Sequence, residues 1–511
     1  TSKSRANKWS FRVHCRNHFK HLVVMLVVAS SMLLSTGIQP SLAAEVADVI
    51  DAGDPGSPVD FRAEVFWRRS LRRAKITREF PCDQLTFSGQ IVNPCPNAGP
   101  SGEMLNVKEL RYQRVIQELV PTIRIGLWKD LELRVELPVT LSDIQALRFA
   151  GNGGDKNGIA ISPANSTIAP EDIAPMPDGM GGMTGNVETP NLFDVPADGG
   201  FRELPTRSGF GDALFMIRYS PISQERDAQR ATWTLELGYR APTGEPMVGG
   251  NKGVGRGVHE VVLGTALSRT YDYADPYARF HAVMPFPAAG GMFKKYGGAQ
   301  EYIGPGLRAG FLMGSEFVPY FDTETGAKFY IDAGLSGEYQ AEGRDYSELF
   351  DALALDPQDC LGPNGVAQAP ATDTRGLPNV ACFDPSSSSS IRGTSHDGIT
   401  TVEEFVRLKL HLGLGIYLSN TVRMAAAISL AHETEHFLSN ASAGTDITGG
   451  PDGGPDGRVN PDIAEEHNPT YVAAIDQPGR RLRIEETTVF TAGMSLSFIL
   501  DSLPAAKTKA D

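Results

Sequence analysis

One short stretch of the chain matches the spacing of a catalytic zinc site: His432-Glu433-Thr434-Glu435-His436. In the H-E-x-x-H motif, two histidines on one face of a helix bind zinc and the glutamate acts as general base. The preceding apolar residues, from Met424 to Leu430, recur at every second position, which is the period of a strand. On a strand, His432 and His436 share the lipid-side face near the outer rim, while Glu433 points into the lumen. We therefore predict no catalytic residue here and keep a zinc metallopeptidase as a minor alternative.

Two other stretches have the composition of calcium sites. Asp397-Gly398 followed by Glu404 imitates the second half of an EF-hand loop, but Gly393 and Ser395 occupy its first and third ligand positions and carry no carboxylate. The second stretch is either a surface calcium site or a solvated acidic loop, and solvation is the ordinary state of such a run. Its carboxylates are Asp452, Asp456, Asp462, Glu465 and Glu466. The sequence predicts no metal and no cofactor.

The elements that position these residues are strands. From Leu131 to Leu141, apolar residues occupy every odd position, and polar residues or proline occupy the even ones. The same alternation returns in Thr232–Pro242 and Val406–Leu418, and it predicts strands with two different faces. Because one face is continuously apolar and the other carries charges of both signs, the pattern is typical of a strand between lipid and a polar lumen.

The polar faces of these strands define the predicted lumen. Their charges either line a conducting pore or form an ion-paired core. A barrel of eight strands is filled by its side chains and one of sixteen leaves an aqueous channel, so about twelve strands favour a narrow or loop-gated channel. In the last strand, the pattern places Leu482 and Ile484 on the lipid side. The predicted lumen-lining residues are Glu132, Arg134, Glu136, Glu236, Arg240, Arg407, Lys409, His411, Arg423, Arg481, Arg483 and Glu485.

The connections between the strand segments alternate between short and long. This alternation is typical of bacterial outer-membrane barrels, and a closed barrel leaves no unpaired edge in lipid. We predict an all-β fold, a transmembrane antiparallel β-barrel of about 12 strands over residues 59–500, with long extracellular loops and short periplasmic turns. A soluble all-β protein is the alternative, although its wet faces would carry neutral polar residues more often than Arg and Glu.

The N-terminal residues predict export. A head with six lysines and arginines precedes a short apolar run, Leu22–Leu34, and small residues at Ser41-Leu42-Ala43 or Leu42-Ala43-Ala44 offer cleavage sites. The run is shorter than the roughly 20 residues that a spanning helix needs. The location predicted is the outer membrane of a Gram-negative bacterium. The segments outside the barrel are a signal peptide at 1–44, a periplasmic linker at 45–58 and a periplasmic tail at 501–511.

The cysteines fit an exported protein. Cys15 lies within the predicted signal peptide, and the other four form two local pairs, Cys82 with Cys95 and Cys360 with Cys382. An exported chain meets an oxidising compartment, so we predict two disulfides that each close one surface loop. Neither pair has the close spacing of a zinc-binding motif.

The charge balance limits the partners. The 47 Lys and Arg residues face 61 Asp and Glu, and six of the cations lie in the predicted signal peptide. The mature chain therefore carries a net charge of about −20, which argues against nucleic acid as a partner. The predicted partners are outer-membrane lipid and lipopolysaccharide together with a small-molecule solute, and the sequence leaves the oligomeric state open.

Three segments resemble a known family of outer-membrane proteins. They are Pro121–Pro138, Ser208–Leu214 and Leu235–Gly244. The family is the outer-membrane transporter family named for the meta-pathway of phenol degradation, and the resemblance covers residues 105–245, with a weaker similarity in the last strand. It implies an outer-membrane barrel and the passage of small molecules. The long cysteine-bearing loops and the tail after Leu500 depart from the family's pattern.

The expected function is transport without covalent chemistry. We expect a porin-like outer-membrane channel for small molecules of hydrophobic or anionic character. The alternative is a non-conducting surface barrel whose long loops bind a partner. The two functions differ in whether the refolded barrel conducts.

Overall fold

The structure is a computed structural model that describes residues 44–50, 52, 60–81, 104–150, 202–249, 251–322, 325–353, 398–419, 421–450, 453–460 and 463–500. Within these ranges there are two helices of four residues, α1 (Phe350–Leu353) and α2 (Ala473–Asp476). Among the described residues, no helix is long and apolar enough to span a membrane. The strands are β1 (Phe61–Pro81), β2 (Met104–Trp128), β3 (Leu131–Glu136), β4 (Val139–Phe149), β5 (Arg202–Glu203), β6 (Arg207–Phe210), β7 (Leu214–Ile222), β8 (Thr232–Arg240), β9 (Val258–Ser268), β10 (Ala274–Pro287), β11 (Arg308–Phe321), β12 (Lys328–Gln340), β13 (Gly343–Tyr346), β14 (Ile399–Val402), β15 (Phe405–Ser419), β16 (Val422–Glu433), β17 (His436–Phe437) and β18 (Leu482–Leu500).

Twelve antiparallel staves close into a barrel, where a stave is one full-length strand of the wall, either continuous or interrupted. β3 and β4 form one stave, since both pair with β2. β7 and β6 form the next, pairing with β3 and β4 respectively. The ring continues through β8, β9, β10, β11, β12, β15, β16 and β18, and β1 closes it by pairing with both β18 and β2. The predicted fold, a transmembrane antiparallel barrel of about twelve strands, is confirmed.

The stave predicted as one strand from Leu131 to Leu141 is interrupted at Leu137-Pro138. Proline has no N–H to donate to a ladder, so it cannot continue regular pairing on both sides. Gly211 N donates to Pro138 O at 2.8 Å, and Leu137 N donates to Pro121 O at 3.0 Å. The stave therefore changes its partner at this point, from β7 to β6.

The outer face of the barrel is apolar. Along β15, Leu408, Leu410, Leu412 and Leu414 are 47–49% exposed. Large apolar side chains on β7, β8 and β16 are exposed in the same alternating way. A closed barrel with such a belt presents to lipid the surface that the sequence alternation predicts.

Glycines on the inner face make room for rings of the adjacent strand. Gly415 pairs with Tyr330, and a Cβ there would lie 2.0 Å from the tyrosine ring. Gly314 pairs with Tyr277, and its Cβ would lie 2.5 Å from the tyrosine hydroxyl oxygen. Because glycine lacks a Cβ, each ring lies flat against its neighbouring strand.

The wall of the barrel has unequal height. β2 has 25 residues and β8 has 9, so at about 3.3 Å per residue they are about 80 Å and about 30 Å long. The long strands β1, β2 and β18 are neighbours. We call the end with the brief connections, such as residues 129–130 between β2 and β3, the short-turn end, and the opposite end the long-loop end.

Candidate functional site

The inner wall near the short-turn end carries a chain of buried ion pairs. Arg124 donates to both carboxylate oxygens of Glu132, at 2.9 and 2.6 Å. Arg218 lies 3.6 Å from Glu132 and donates to Glu236 at 3.1 Å. Arg279 donates to the other Glu236 oxygen at 2.8 Å. Each carboxylate is thus held between two guanidinium groups, which compensates much of the cost of its burial.

An N-terminal plug, defined here as residues 44–50 with Ala52, lies inside this part of the barrel. Ala44 and Ala47 are fully buried. The side chain of Glu45 forms an ion pair with Arg423, and Asp48 forms one with Arg62 at 3.0 Å. Inward-facing side chains also bind its backbone: Arg124 donates to Asp48 O (2.7 Å), Arg218 to Asp48 O and Val46 O (both 2.6 Å) and Thr234 to Ala47 O (2.7 Å), while Glu132 accepts from Ile50 N (2.9 Å). The plug is therefore fixed to many strands of the wall.

Closer to the long-loop end, Glu260 is the centre of a second charge cluster. It is almost fully buried and accepts hydrogen bonds from Arg240 at 3.1 Å, Arg256 at 2.9 Å and Arg308 at 2.6 Å. Arg256 also donates to both oxygens of Asp345, at 2.9 and 2.8 Å. Glu260 thus links β8 and β11 to the segment that precedes β9.

Glu433 holds a third cluster on the opposite wall. It accepts from Arg72 at 2.7 Å and from Arg407 at 2.7 Å. Arg72 also forms an ion pair with Glu348, and Arg407 lies 3.5 Å from Glu338. Glu433, which would be the general base in a zinc motif, is thus hydrogen-bonded to two arginines.

A cap folds over the long-loop end. It consists of β13, α1, β14 and the described residues between 434 and 481. Its Leu349, Leu353, Leu438 and Ile475 are buried in one apolar cluster with inward residues of the long strands, among them Ala74 and Ile76. Burial of each large side chain stabilises this closed arrangement by about 1.5–3 kcal/mol.

Polar contacts also hold the cap in place. The side chain of Arg207 is buried, donates to Asn251 Oδ1 at 2.7 Å and forms an ion pair with Asp351. Glu466 accepts from the Thr448 hydroxyl at 2.7 Å and from Asn460 N at 2.8 Å, and these bonds lower its pKa to about 2. Burial raises the pKa of Asp476 to about 7. Glu466, one of the candidate calcium ligands, therefore acts as an internal acceptor of the loop.

A cavity of about 320 Å³ lies in the lumen beneath the cap. The order of contacts along β1 gives its position, because Arg62 binds the plug, Arg72 lines the cavity and Ala74 and Ile76 join the cap cluster. The charged side chains that line it are Arg72, Arg114, Glu118, Asp143, Arg256, Arg308, Asp345, Glu348 and Arg407. The cavity has the volume of a small-ligand site, with polar walls of both signs.

Most of the other predicted lumen residues also lie on the inner wall. Arg134 and Glu136 form a pair at 2.7 Å, and His411 Nε2 lies 3.0 Å from Asp332 Oδ2. Arg423 contacts the plug and Tyr330. Lys409 is exposed to the lumen, and the described part of the chain offers it no hydrogen bond or ion pair. The structure thus brings nearly all these charges together as pairs.

The first part of β18 has a different register from the predicted one. Leu482 and Ile484, expected on the lipid side, are buried in the interior cluster. Arg481 and Arg483 pair instead with Glu79 and Glu435, and Glu485 accepts from Thr77. The alternation changes phase at Glu486, whose φ is 48°, so Arg483 and Glu485 face away from the interior cluster. A bulge of this kind moves every preceding side chain to the opposite face.

The two histidines of the zinc motif serve separate roles. His432 Nδ1 lies 3.0 Å from Thr487 O, whereas His436 is buried, stacks on Phe405 at a centroid distance of 4.1 Å and lines the cavity. His436 was expected on the lipid side, but β16 ends at Glu433, before it. No group of three or more His, Cys, Asp or Glu that could hold a metal occurs within the described ranges.

Several predicted features lie outside the described residues. These are the signal peptide up to residue 43, the four loop cysteines Cys82, Cys95, Cys360 and Cys382, the tail 501–511 and two of the acidic loop residues, Asp452 and Asp462. The predicted linker 45–58 lies partly within the described ranges, and its residues 45–50 and Ala52 belong to the plug inside the barrel.

Comparisons with known proteins were made for the whole chain. No family model and no curated protein matches it. Among solved structures it is similar to the COG4313 outer membrane channel from Pseudomonas putida F1, at a TM-score of 0.33 and 8% identity over 88% of this chain and 100% of the other. A Pseudomonas aeruginosa FadL homologue gives 0.30 and 9% over 86% and 90%, and the outer membrane protease OmpT from Escherichia coli gives 0.28 and 7% over 86% and 97%. At such low scores the likenesses carry no argument about function, and the fold assignment rests on the strand pairing of this chain.

Proposed function

We propose that the protein is a gated channel that lets small solutes cross a bacterial outer membrane. The observation that supports this function best is the cavity of about 320 Å³, which lies between two segments that do not belong to the wall. The plug occupies the lumen on its short-turn side and the cap covers its long-loop side. Passage then requires that the plug and cap shift while the hydrogen-bonded wall stays closed.

The charges around the cavity support a polar solute with acceptor oxygens. Five arginines line it, and each guanidinium has five N–H donors, whereas each lining carboxylate only accepts. Lys409 adds an exposed cation in the lumen. We infer that small anions are preferred, because the local charge of a constriction outweighs that of distant, screened acidic loops.

Removing the plug is expected to raise conductance. A refolded chain that starts at residue 60 lacks every plug contact, so its planar-bilayer conductance should be several-fold larger than that of the chain that starts at Ala44. A milder variant, Glu45→Gln with Asp48→Asn, weakens the ion pairs to Arg423 and Arg62 and should produce more frequent open events.

A control variant, Glu118→Gln, removes a carboxylate that lines the cavity and pairs with Arg68, not with the plug, and should leave the attachment of the plug as stable as before. If the truncated barrel folds, as shown by heat-modifiable migration on a gel, and still carries no current, the channel proposal is wrong. The non-conducting surface barrel, whose long loops bind a partner, is then the better function.

Reversal potentials in a salt gradient test the predicted anion preference. Lys409→Glu replaces an exposed lumen cation by an anion, and it should move the reversal potential toward cation selectivity. Arg407→Glu would place a carboxylate beside Glu433, so it perturbs folding as well and is the poorer probe. Lys252→Glu, at an exposed position of an outer loop, is the matched control and should change little. An equal shift in both variants would contradict a selective constriction at Lys409.

A further inference from the structure

We infer that a signal peptidase cleaves the chain between Ala43 and Ala44, and that the new α-ammonium group of Ala44 holds the plug in the lumen through the carboxylates of Glu316 and Asp275. This goes beyond the channel proposal, because it assigns a processing site and an internal ion pair. It also differs from the cleavage expected after residue 44.

The contacts of Ala44 show why this residue belongs to the mature chain. Ala44 is fully buried inside the barrel. Its carbonyl oxygen accepts from Ala47 N at 2.9 Å and Asp48 N at 3.1 Å, which closes the turn that presents the carbonyl groups of Val46, Ala47 and Asp48 to the wall. Cleavage after Ala44 would remove this acceptor and leave two buried N–H groups without a partner, at a cost of about 1–3 kcal/mol each.

The nitrogen of Ala44 lies at a polar site of the wall. It donates to Ser268 Oγ at 3.1 Å, and the next nitrogen, Glu45 N, donates to Glu316 Oε1 at 3.0 Å. Consecutive backbone nitrogens lie less than about 4 Å apart, so a charge on Ala44 N is within about 7 Å of the Glu316 carboxylate. At that distance and within a barrel, the attraction between unit charges is appreciable.

The formal charges around this site are unbalanced without such a group. The two carboxylates of Asp275 and Glu316 share one cation, Lys328. Lys328 lies 3.3 Å from Asp275 and 3.7 Å from Glu316, and Arg423 is paired with Glu45. Asp275 Oδ1 is buried and has no hydrogen-bond partner among the described residues. Tyr277 pairs with Ser268, which places Asp275 two positions along the same inner face. A second cation at Ala44 N balances these two carboxylates.

Processing supplies that cation. Hydrolysis of the Ala43–Ala44 peptide bond adds one water, leaves a carboxylate on Ala43 and an amine on Ala44, and the amine takes up a proton. An amide N–H with one donor becomes an ammonium with three donors and a full charge. The same cut that releases the signal peptide thus strengthens the attachment of the plug, since hydrogen bonds to charged groups are about twice as strong as neutral ones.

The processing site is tested by intact mass and N-terminal sequencing of the protein isolated from outer membranes. The expected first residue is Ala44. A chain that begins at Glu45, or at any other residue, would overturn the inference whether or not the barrel conducts.

The ion pair is tested by the reactivity of the terminal amine with an amine-specific reagent at neutral pH, followed by peptide mapping. In the folded protein the amine should react about tenfold more slowly than in urea, because it is buried and paired. The double variant Asp275→Asn with Glu316→Gln should lose this protection, and so should a chain with one glycine added before Ala44, which moves the charge but leaves the wall intact. Glu118→Gln is the control and should keep the protection. Equal reactivity in the folded and unfolded wild type would refute the ion pair, and this readout does not depend on conductance.

Discussion

Leu412→Arg is expected to prevent assembly of the barrel in a membrane. Leu412 lies at the middle of β15, is 47% exposed and belongs to the apolar outer belt. An arginine that faces lipid at the midplane costs about 2–4 kcal/mol, which is a large part of the stability of most proteins. The measurement is the fraction of heat-modifiable, folded protein after refolding into lipid vesicles.

Gly413→Arg is the matched control, since it introduces the same side chain one residue further along. Gly413 faces the lumen, where a Cβ would lie 3.3 Å from Asp332 Cβ and the guanidinium can pair with the Asp332 carboxylate. This variant should assemble. If Gly413→Arg failed and Leu412→Arg folded, the faces of β15 would be the reverse of those described.

Glu260→Leu is expected to destabilise the barrel by about 3 kcal/mol, because it leaves the partly buried charges of Arg240 and Arg308 without this carboxylate. Urea unfolding of the vesicle-inserted protein should show a clear shift of the midpoint to lower urea. Arg256 keeps Asp345 and contributes less to the loss.

Glu118→Leu provides the comparison for the buried cluster. Glu118 pairs with Arg68 at 2.5 Å, but the arginine side chain is 44% exposed. A screened, exposed pair contributes about 0–1 kcal/mol, so the midpoint should hardly move. Equal shifts in both variants would mean that the Glu260 cluster contributes no more than an exposed pair.

The period of the side chains predicted the strands and most of their faces. Leu408 to Leu418 and Leu235 to Leu237 alternate with polar residues, and lipid on one side of a barrel requires that pattern. Length and loop alternation then predicted about twelve strands, which the closed pairing confirms. These features are local in sequence, and a local pattern is sufficient to encode them.

The plug could not be predicted from the same pattern. Ala44 to Ile50 contains two acidic residues among apolar ones, with no period that indicates a place inside a barrel. Many of its attachments run to backbone carbonyls, such as Val46 O and Asp48 O, and therefore leave no trace in the side-chain types. Its acidic residues carry a weak signal, since each meets an arginine of the wall.

The register change in β18 could not be predicted from the sequence either. Glu486 adopts a positive φ although it is not glycine, so no residue type marks the bulge. Only the partner strand and the cap cluster decide that Leu482 and Ile484 turn inward. The pairing of charges across the lumen depends likewise on strands that are far apart in sequence, as β1 with Arg72 and β16 with Glu433 are.

The unequal strand lengths also have a consequence for the proposed channel. A strand of about 30 Å, tilted as in other barrels, hardly exceeds the hydrocarbon layer, whereas one of about 80 Å stands well clear of it. The rim of the barrel is therefore uneven: it has a high side at β1, β2 and β18 and a low side near β8. The cap cluster packs against the high side, where it includes Ala74, Ile76 and Leu482. If the protein is the proposed channel, we expect the cap to hinge along the high side and to open toward the low side near β8, close to the head groups of the surrounding lipids.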